Sequence, residues 1–135
     1  MYTANFKYDM LILIMMFFMH YIGDFIVQTS FVATSKQKSF WDKYVEENKM
    51  YISDYKPILF LHSFSWTVCI LLPIVLYTLN TLSISAILIS LVVNTIIHTY
   101  VDNLKANKLK INLIIDQAIH IIQITLTWYI LLGLL

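Results

Sequence analysis

Arginine is absent from the 135 residues, and cysteine, proline and glycine number one, two and two. Each scarcity closes a class of explanation. With Cys69 alone, neither an internal disulfide nor a cysteine-rich structural zinc site can form. Two glycines cannot supply the loops that cradle nucleotide phosphates, and no P-loop or Gly-x-Ser-x-Gly elbow occurs. Charged residues reach only 13%, against about 25% in soluble globular proteins. A net charge of +1 offers nucleic acid nothing to hold. Repeats with periods of 20–50 residues and low-complexity tracts are missing as well.

What is present is apolar. Hydrophobic residues make up 59% and the mean hydropathy is +0.73, more apolar surface than a single soluble domain of this length can bury. Lipid can solvate it. The chain therefore reads as one all-α transmembrane domain, 1–135, with four spans at about 9–28, 58–79, 83–104 and 112–135, each near the ~20 residues a bilayer core requires. The first apolar run could pass for a signal peptide. It lacks a small-residue cleavage site, and its polar end suits a retained span better. Pro57 fits the first turn of span two, and Pro73 inside it is tolerated as a kink among neighbouring helices. Asn80 to Ser83 forms a short turn, and Trp128 with Tyr129 marks the far end of span four as an aromatic belt.

Between the spans, loop 29–57 carries five lysines and loop 105–111 three, while the middle turn has none. The positive-inside rule places both lysine-rich loops in the cytoplasm and both termini outside. Within the first loop, Ser39-Phe40-Trp41-Asp42 has the form of a helix start. Phe40, Trp41, Tyr44, Val45 and Tyr51 then recur at near-helical spacing. This predicts an amphipathic helix lying at the membrane interface, the alternative being a partly ordered loop.

Ionisable residues inside spans are costly and mark functional sites by default. Here they collect. His20, Asp24 and Gln28 fall four apart at the end of span one; His62 lies near the start of span two. His98 and Asp102 close span three, and Asp116 and His120 open span four. All fall at the cytoplasmic end. A His and an Asp four apart on a helix have side chains close enough to ligate one metal together, or for the carboxylate to orient the imidazole. His20, Asp24, His62, His98, Asp102, Asp116 and His120 are thus candidate ligands for Zn, Mn or Fe. Carboxylate-bridged bundles arrange inward carboxylates and histidines in the same way. Gln28, Gln117 and Gln123 are candidate orienting donors. Asn94, Thr95, Ser63, Ser65 and Thr67 read as contacts that hold helices together, and Met15, Met16 and Met19 as packing.

His20-Tyr-Ile-Gly-Asp-Phe-Ile-Val-Gln-Thr29, Lys36, His62, His98-x-x-x-Asp102-x-x-Lys105 and Asp116-Gln-x-x-His120 together resemble domain-of-unknown-function family 3307, small polytopic membrane proteins of bacteria and their phages. The resemblance covers nearly the whole chain and implies a four-helix membrane domain in a bacterial inner (cytoplasmic) membrane; it implies no activity. It also implies a second histidine one turn beyond His62, where this chain has Trp66.

Two classes of function stand open. One is a metal-dependent membrane-embedded hydrolase acting on a lipid-like or membrane-bound substrate. In it Asp24 or Asp116 would take a proton from water, and Lys36 and Lys105 would hold an anionic lipid headgroup. The other is a non-enzymatic protein, an ion or metal conduit or an effector, whose His–Asp pairs form a structural polar network. Few polar groups occur from Cys69 to Leu79 or from Trp128 to Leu135, which leans against a conduit.

Overall fold

The computed structural model describes residues 6–79 and 81–134; Asn80 of the predicted turn and Leu135 at the end of span four lie outside them. The described residues are helical, without strands. Four helical stretches are long and apolar enough to cross a bilayer: Phe6–Ile26, Lys49–Tyr77, Ile84–Ala106 and Leu113–Gly133.

The first of these is a compound element. Helix α1, Phe6–Tyr21, passes into a single π-helical turn over Ile22–Ile26, closed by Val27 N–H donating to the Ile22 carbonyl at 2.8 Å. Such turns insert one residue into a helix and recur at functional sites. Gly23 explains why it fits here. A Cβ at this position would meet Trp66 Cδ1 at 3.3 Å and Cys69 Cβ at 3.4 Å, so only glycine lets this turn close on the neighbouring helix without displacing it.

Two short helices follow. In α2, Ser30–Ser35, the Thr29 hydroxyl caps the Val32 amide. Helix α3, Lys38–Glu47, has its N-cap at Gln37, two residues before the Ser39 that the Ser-x-x-Asp pattern predicts as cap, and Gln37 makes no side-chain bond there. The reason is tertiary: Asn107 Oδ1, at the end of α5, accepts from the Lys38 amide at 2.6 Å, and Asn107 Nδ2 donates to the Lys36 carbonyl. Trp41 and Tyr44 lie on α3, and a 3-10 turn over Lys49–Ser53 brings Tyr51 back to stack on Trp41.

Helices α4 (Tyr55–Tyr77), α5 (Ile84–Ala106) and α6 (Leu113–Gly133) complete the bundle. Ser83 caps α5 and Asn112 caps α6 through their side-chain oxygens. Around the bundle the order is α1, α4, α5, α6 and back to α1. In one half, Ile12, Met16, Ile70, Ile74, Ile124 and Leu131 form the apolar core. There Asn94 Oδ1 accepts from Gln123 Nε2 at 2.8 Å and from the Thr127 hydroxyl at 3.0 Å, so Gln123 ties α5 to α6 and does not orient the histidines. Ser63, Thr67 and Thr95 donate to carbonyls four residues back on their own helices, and Ser65 is exposed. Of the five residues read as interhelical contacts, Asn94 is the one that bonds across helices by its side chain among the described residues. The other half of the bundle is polar.

Candidate functional site

Three helices deliver histidines to one depth. His62 stands seven positions past Tyr55, the first residue of α4, and His120 seven past Leu113 at the start of α6. His98 stands eight before Ala106, the end of α5. At 1.5 Å per residue all three lie roughly 10–12 Å inside their helix ends. Asp102 and Asp116, four residues nearer those ends, form a shallower tier, with Asp24 brought in by the π turn. His62, His98, His120, Asp24, Asp102 and Asp116 are all buried.

Their facing atoms are closely and evenly spaced. His62 Nε2 lies 3.3 Å from Asp24 Oδ1, 3.4 Å from Asp102 Oδ2 and 3.5 Å from His98 Nε2. His98 Nε2 is 4.0 Å from Asp24 Oδ1 and 3.9 Å from Asp102 Oδ1. His120 Nε2 is 3.4 Å from Asp116 Oδ1 and 3.8 Å from Asp102 Oδ1. Two trios, Asp24–His62–His98 and His98–Asp102–His120, each bring three ligand atoms within 4.8 Å of one another. A tetrahedral ion with bonds of 2.0–2.1 Å separates its ligands by about 3.3–3.4 Å, so the cluster is only slightly more open than such a shell.

Beneath the histidines lies a floor. Trp66, fully buried, stacks on His98 with ring centroids 4.1 Å apart, and His98 stacks on His120 at 4.2 Å. The Trp66 indole N–H donates to His20 Nδ1 at 2.8 Å. That fixes the tautomer: the His20 proton is on Nε2, which donates to Gln117 Oε1 at 3.1 Å. Gln117 Nε2 in turn donates to Asp24 Oδ2 and Asp116 Oδ2. Both His20 nitrogens are thus engaged, and His20 joins neither trio. Its link to Asp24 runs through Gln117. His20 therefore orients, through Gln117, two carboxylates, and its expected role as a ligand has no free lone pair to act through in this arrangement.

Above the carboxylates come two ammonium groups. Lys36, only 6% exposed, is turned inward by α2 and pairs with Asp102 Oδ2 at 2.6 Å and Gln28 Oε1 at 2.8 Å. Lys105 pairs with Asp116 Oδ2 and lies 3.6 Å from Asp102 Oδ1. Both lysines also line the cleft that reaches Asp24, and their pairing answers a physical need: buried carboxylates are tolerated only when paired.

A family model described as protein of unknown function (DUF3307) matches residues 12–134. The chain belongs to that family. The match takes in the π turn, the four histidines, the three aspartates and both lysines. No curated protein and no solved structure matches the chain. Membership carries no activity with it, so the chemistry rests on the side chains themselves.

Several of those side chains remain unpaired. Asp102 Oδ1, Asp116 Oδ1, His98 Nδ1 and both nitrogens of His120 are buried without a hydrogen-bond partner, where each such atom ordinarily costs about 1–3 kcal/mol. Asp102 Oδ1, Asp116 Oδ1 and His120 Nε2, facing one another at 3.4–3.8 Å, are ligand types suited to a cation. Gln117 is an orienting donor as its place beside Asp116 predicts, whereas the roles of Trp66 and Asn107 leave no signal in their spacing. Trp66 carries a hint only as the residue in a histidine's place.

Proposed function

We propose that the protein is a membrane-embedded, metal-dependent hydrolase acting on a lipid-like substrate at the cytoplasmic face of a bacterial membrane, and that His62, His98, His120, Asp102 and Asp116 hold one divalent transition ion with Asp24 beside it. The observation that carries this reading is the ring of buried carboxylate and imidazole atoms at 3.3–4.0 Å, of which Asp102 Oδ1, Asp116 Oδ1 and His120 Nε2 have no hydrogen-bond partner. The chemistry of the donors, imidazole with carboxylate and no thiolate, suits Zn, Mn or Fe. The cytoplasmic assignment follows from eight lysines in the two loops at this end of the bundle.

A bound ion supplies Lewis acidity and makes water acidic enough to lose a proton near neutral pH. Asp24 is the carboxylate best placed to take that proton, since it lines an open cleft with Gln28, Lys36 and Lys105. Asp116 is committed through Oδ2 to Lys105 and Gln117 and serves better as a ligand or as an orienting group. Trp66 and the apolar core below it keep water from passing deeper.

One observation favours the non-enzymatic alternative, a polar network that fixes helix register: two of the three carboxylates already have lysine partners. Metal analysis separates the two. The purified protein should hold one equivalent of a divalent transition metal, lost in His98→Ala and retained in Ser65→Ala. Asp24→Asn should abolish turnover of a lipid substrate while keeping most of the metal. Wild-type protein that binds no metal would establish the network instead, and fully metallated protein that leaves a broad panel of phospholipids and lipid-linked phosphates intact would overturn the hydrolase.

A further inference from the structure

The cluster has two openings of opposite character. On one side a cleft of about 420 Å³ reaches Asp24 between the π turn, α2 and the α5–α6 corner. Its polar wall is made by Gln28, Lys36, Lys105 and Gln117, and its rim by the exposed apolar side chains Phe25, Leu109 and Leu113. On the other side a smaller hollow of about 110 Å³ lies between Val27, Val32, Ile58 and Leu61, with His62 at its inner end. The Asp24–His62 contact, 3.3 Å long, is the partition between the two.

Charge narrows what can bridge that partition. Asp24, Asp102 and Asp116 against the buried Lys36 and the half-buried Lys105 leave one negative charge in the cluster when the imidazoles are neutral. A divalent ion converts this to one positive charge in a poorly solvated box, where an uncompensated charge is expensive. A single anionic ligand restores neutrality. Both lysines reach Asp102, at 2.6 and 3.6 Å, so an anion with several oxygens entering the cleft meets two ammoniums and an amide from Gln117 together. A phosphodiester has that single charge and that spread of acceptors.

We propose that the site takes the phosphodiester headgroup of a membrane lipid, with the phosphate beside the Asp24–His62 partition, the polar head in the lysine-lined cleft and the start of the apolar tail in the hollow against Leu61. This rests on the metal reading above and adds the substrate class to it.

The test uses full-length protein, loaded with Mn²⁺ and freed of excess ion, in phosphate-free maltoside micelles. Phosphorus-31 relaxation then reports phosphate within reach of the paramagnetic ion. Phosphatidylglycerol added to the micelles should show saturable broadening. Lys105→Gln, which can still donate to Asp116, should weaken it at least tenfold with manganese retained. Leu61→Trp, at a lipid-exposed position that tolerates bulk, should weaken lipid broadening at least tenfold and leave broadening of inorganic phosphate unchanged. Broadening of inorganic phosphate alone, or equal lipid broadening in wild type and Leu61→Trp, would overturn the lipid assignment. Bound manganese with no broadening of either would overturn the phosphate inference and leave the metal reading standing. Absence of bound manganese, seen first in the metal analysis, would remove both.

Discussion

Lys36→Met removes one charge and almost no volume from the most enclosed lysine–aspartate pair among the described residues, between a lysine side chain 7% exposed and an aspartate wholly buried. Breaking a buried pair from one side costs about 3–5 kcal/mol, because the remaining charge is left uncompensated. Here the loss also takes the group from one excess negative charge to two, and it frees the Gln28 carbonyl oxygen that now accepts from Lys36. In chelator, the variant should therefore unfold with about 3–5 kcal/mol less stability than wild type in reversible denaturation from mixed micelles. Divalent metal should reverse part of this. A ligand that binds only the folded state contributes about 2.7 kcal/mol at a hundred times its Kd, and the more negative cluster should bind the ion more tightly than wild type does. Zinc should thus narrow the gap between variant and wild type. A variant as stable as wild type in chelator would refute the claim that Lys36 neutralises Asp102. A gap that metal leaves unchanged would refute the claim that metal and lysine share the same carboxylate.

Trp66→Phe keeps a ring against His98 but deletes the donor to His20, so it should cost about 1–2 kcal/mol in the same unfolding assay, with metal retained. Gly23→Val places a branched side chain where a single Cβ already meets Trp66 and Cys69 at 3.3–3.4 Å; the overpacking should cost about 1–3 kcal/mol, against less than half of that for Gly133→Val, which meets nothing within 4 Å. In a Cys69→Ser background, cysteines at Lys43 and Lys108 should be shielded from impermeant thiol reagents in whole cells while one at Thr81 is labelled. The opposite pattern would invert the proposed orientation.

Four membrane-length helices were legible because runs of about 20 apolar residues leave little choice of structure. The gathering of His62, His98, His120, Asp102 and Asp116 at one end of the bundle was equally open to counting, since each lies a fixed number of residues from a helix end. What counting could not supply was the rotation of each helix about its axis. A helix apolar on nearly every face gives periodicity little to work with, and so the partner of Gln123 turned out to be Asn94. The outward or inward sense of Lys36 depends on α2, a helix of six residues that no long pattern announces. The π turn is invisible for a related reason: an i→i+5 bond leaves no mark on a sequence that i→i+4 would not also satisfy. The cap of α3 lies two residues before Ser39 because its amide is satisfied by Asn107, 69 positions away.

The gathering of the buried ion pairs at one end of the bundle has an electrical consequence. In the proposed topology the cleft at Asp24 joins the cluster to the cytoplasmic phase, whereas Asn94, Gln123, Thr127 and the apolar core fill the middle of the bundle with neutral groups. A potential applied across the membrane therefore falls mainly over that neutral region. An ion carried through the whole field would gain or lose about 2.3 kcal/mol per elementary charge per 100 mV, but one entering the cluster from the cleft crosses little of it. Occupancy of the site should follow the ion concentration on its own side of the membrane and stay indifferent to the membrane voltage.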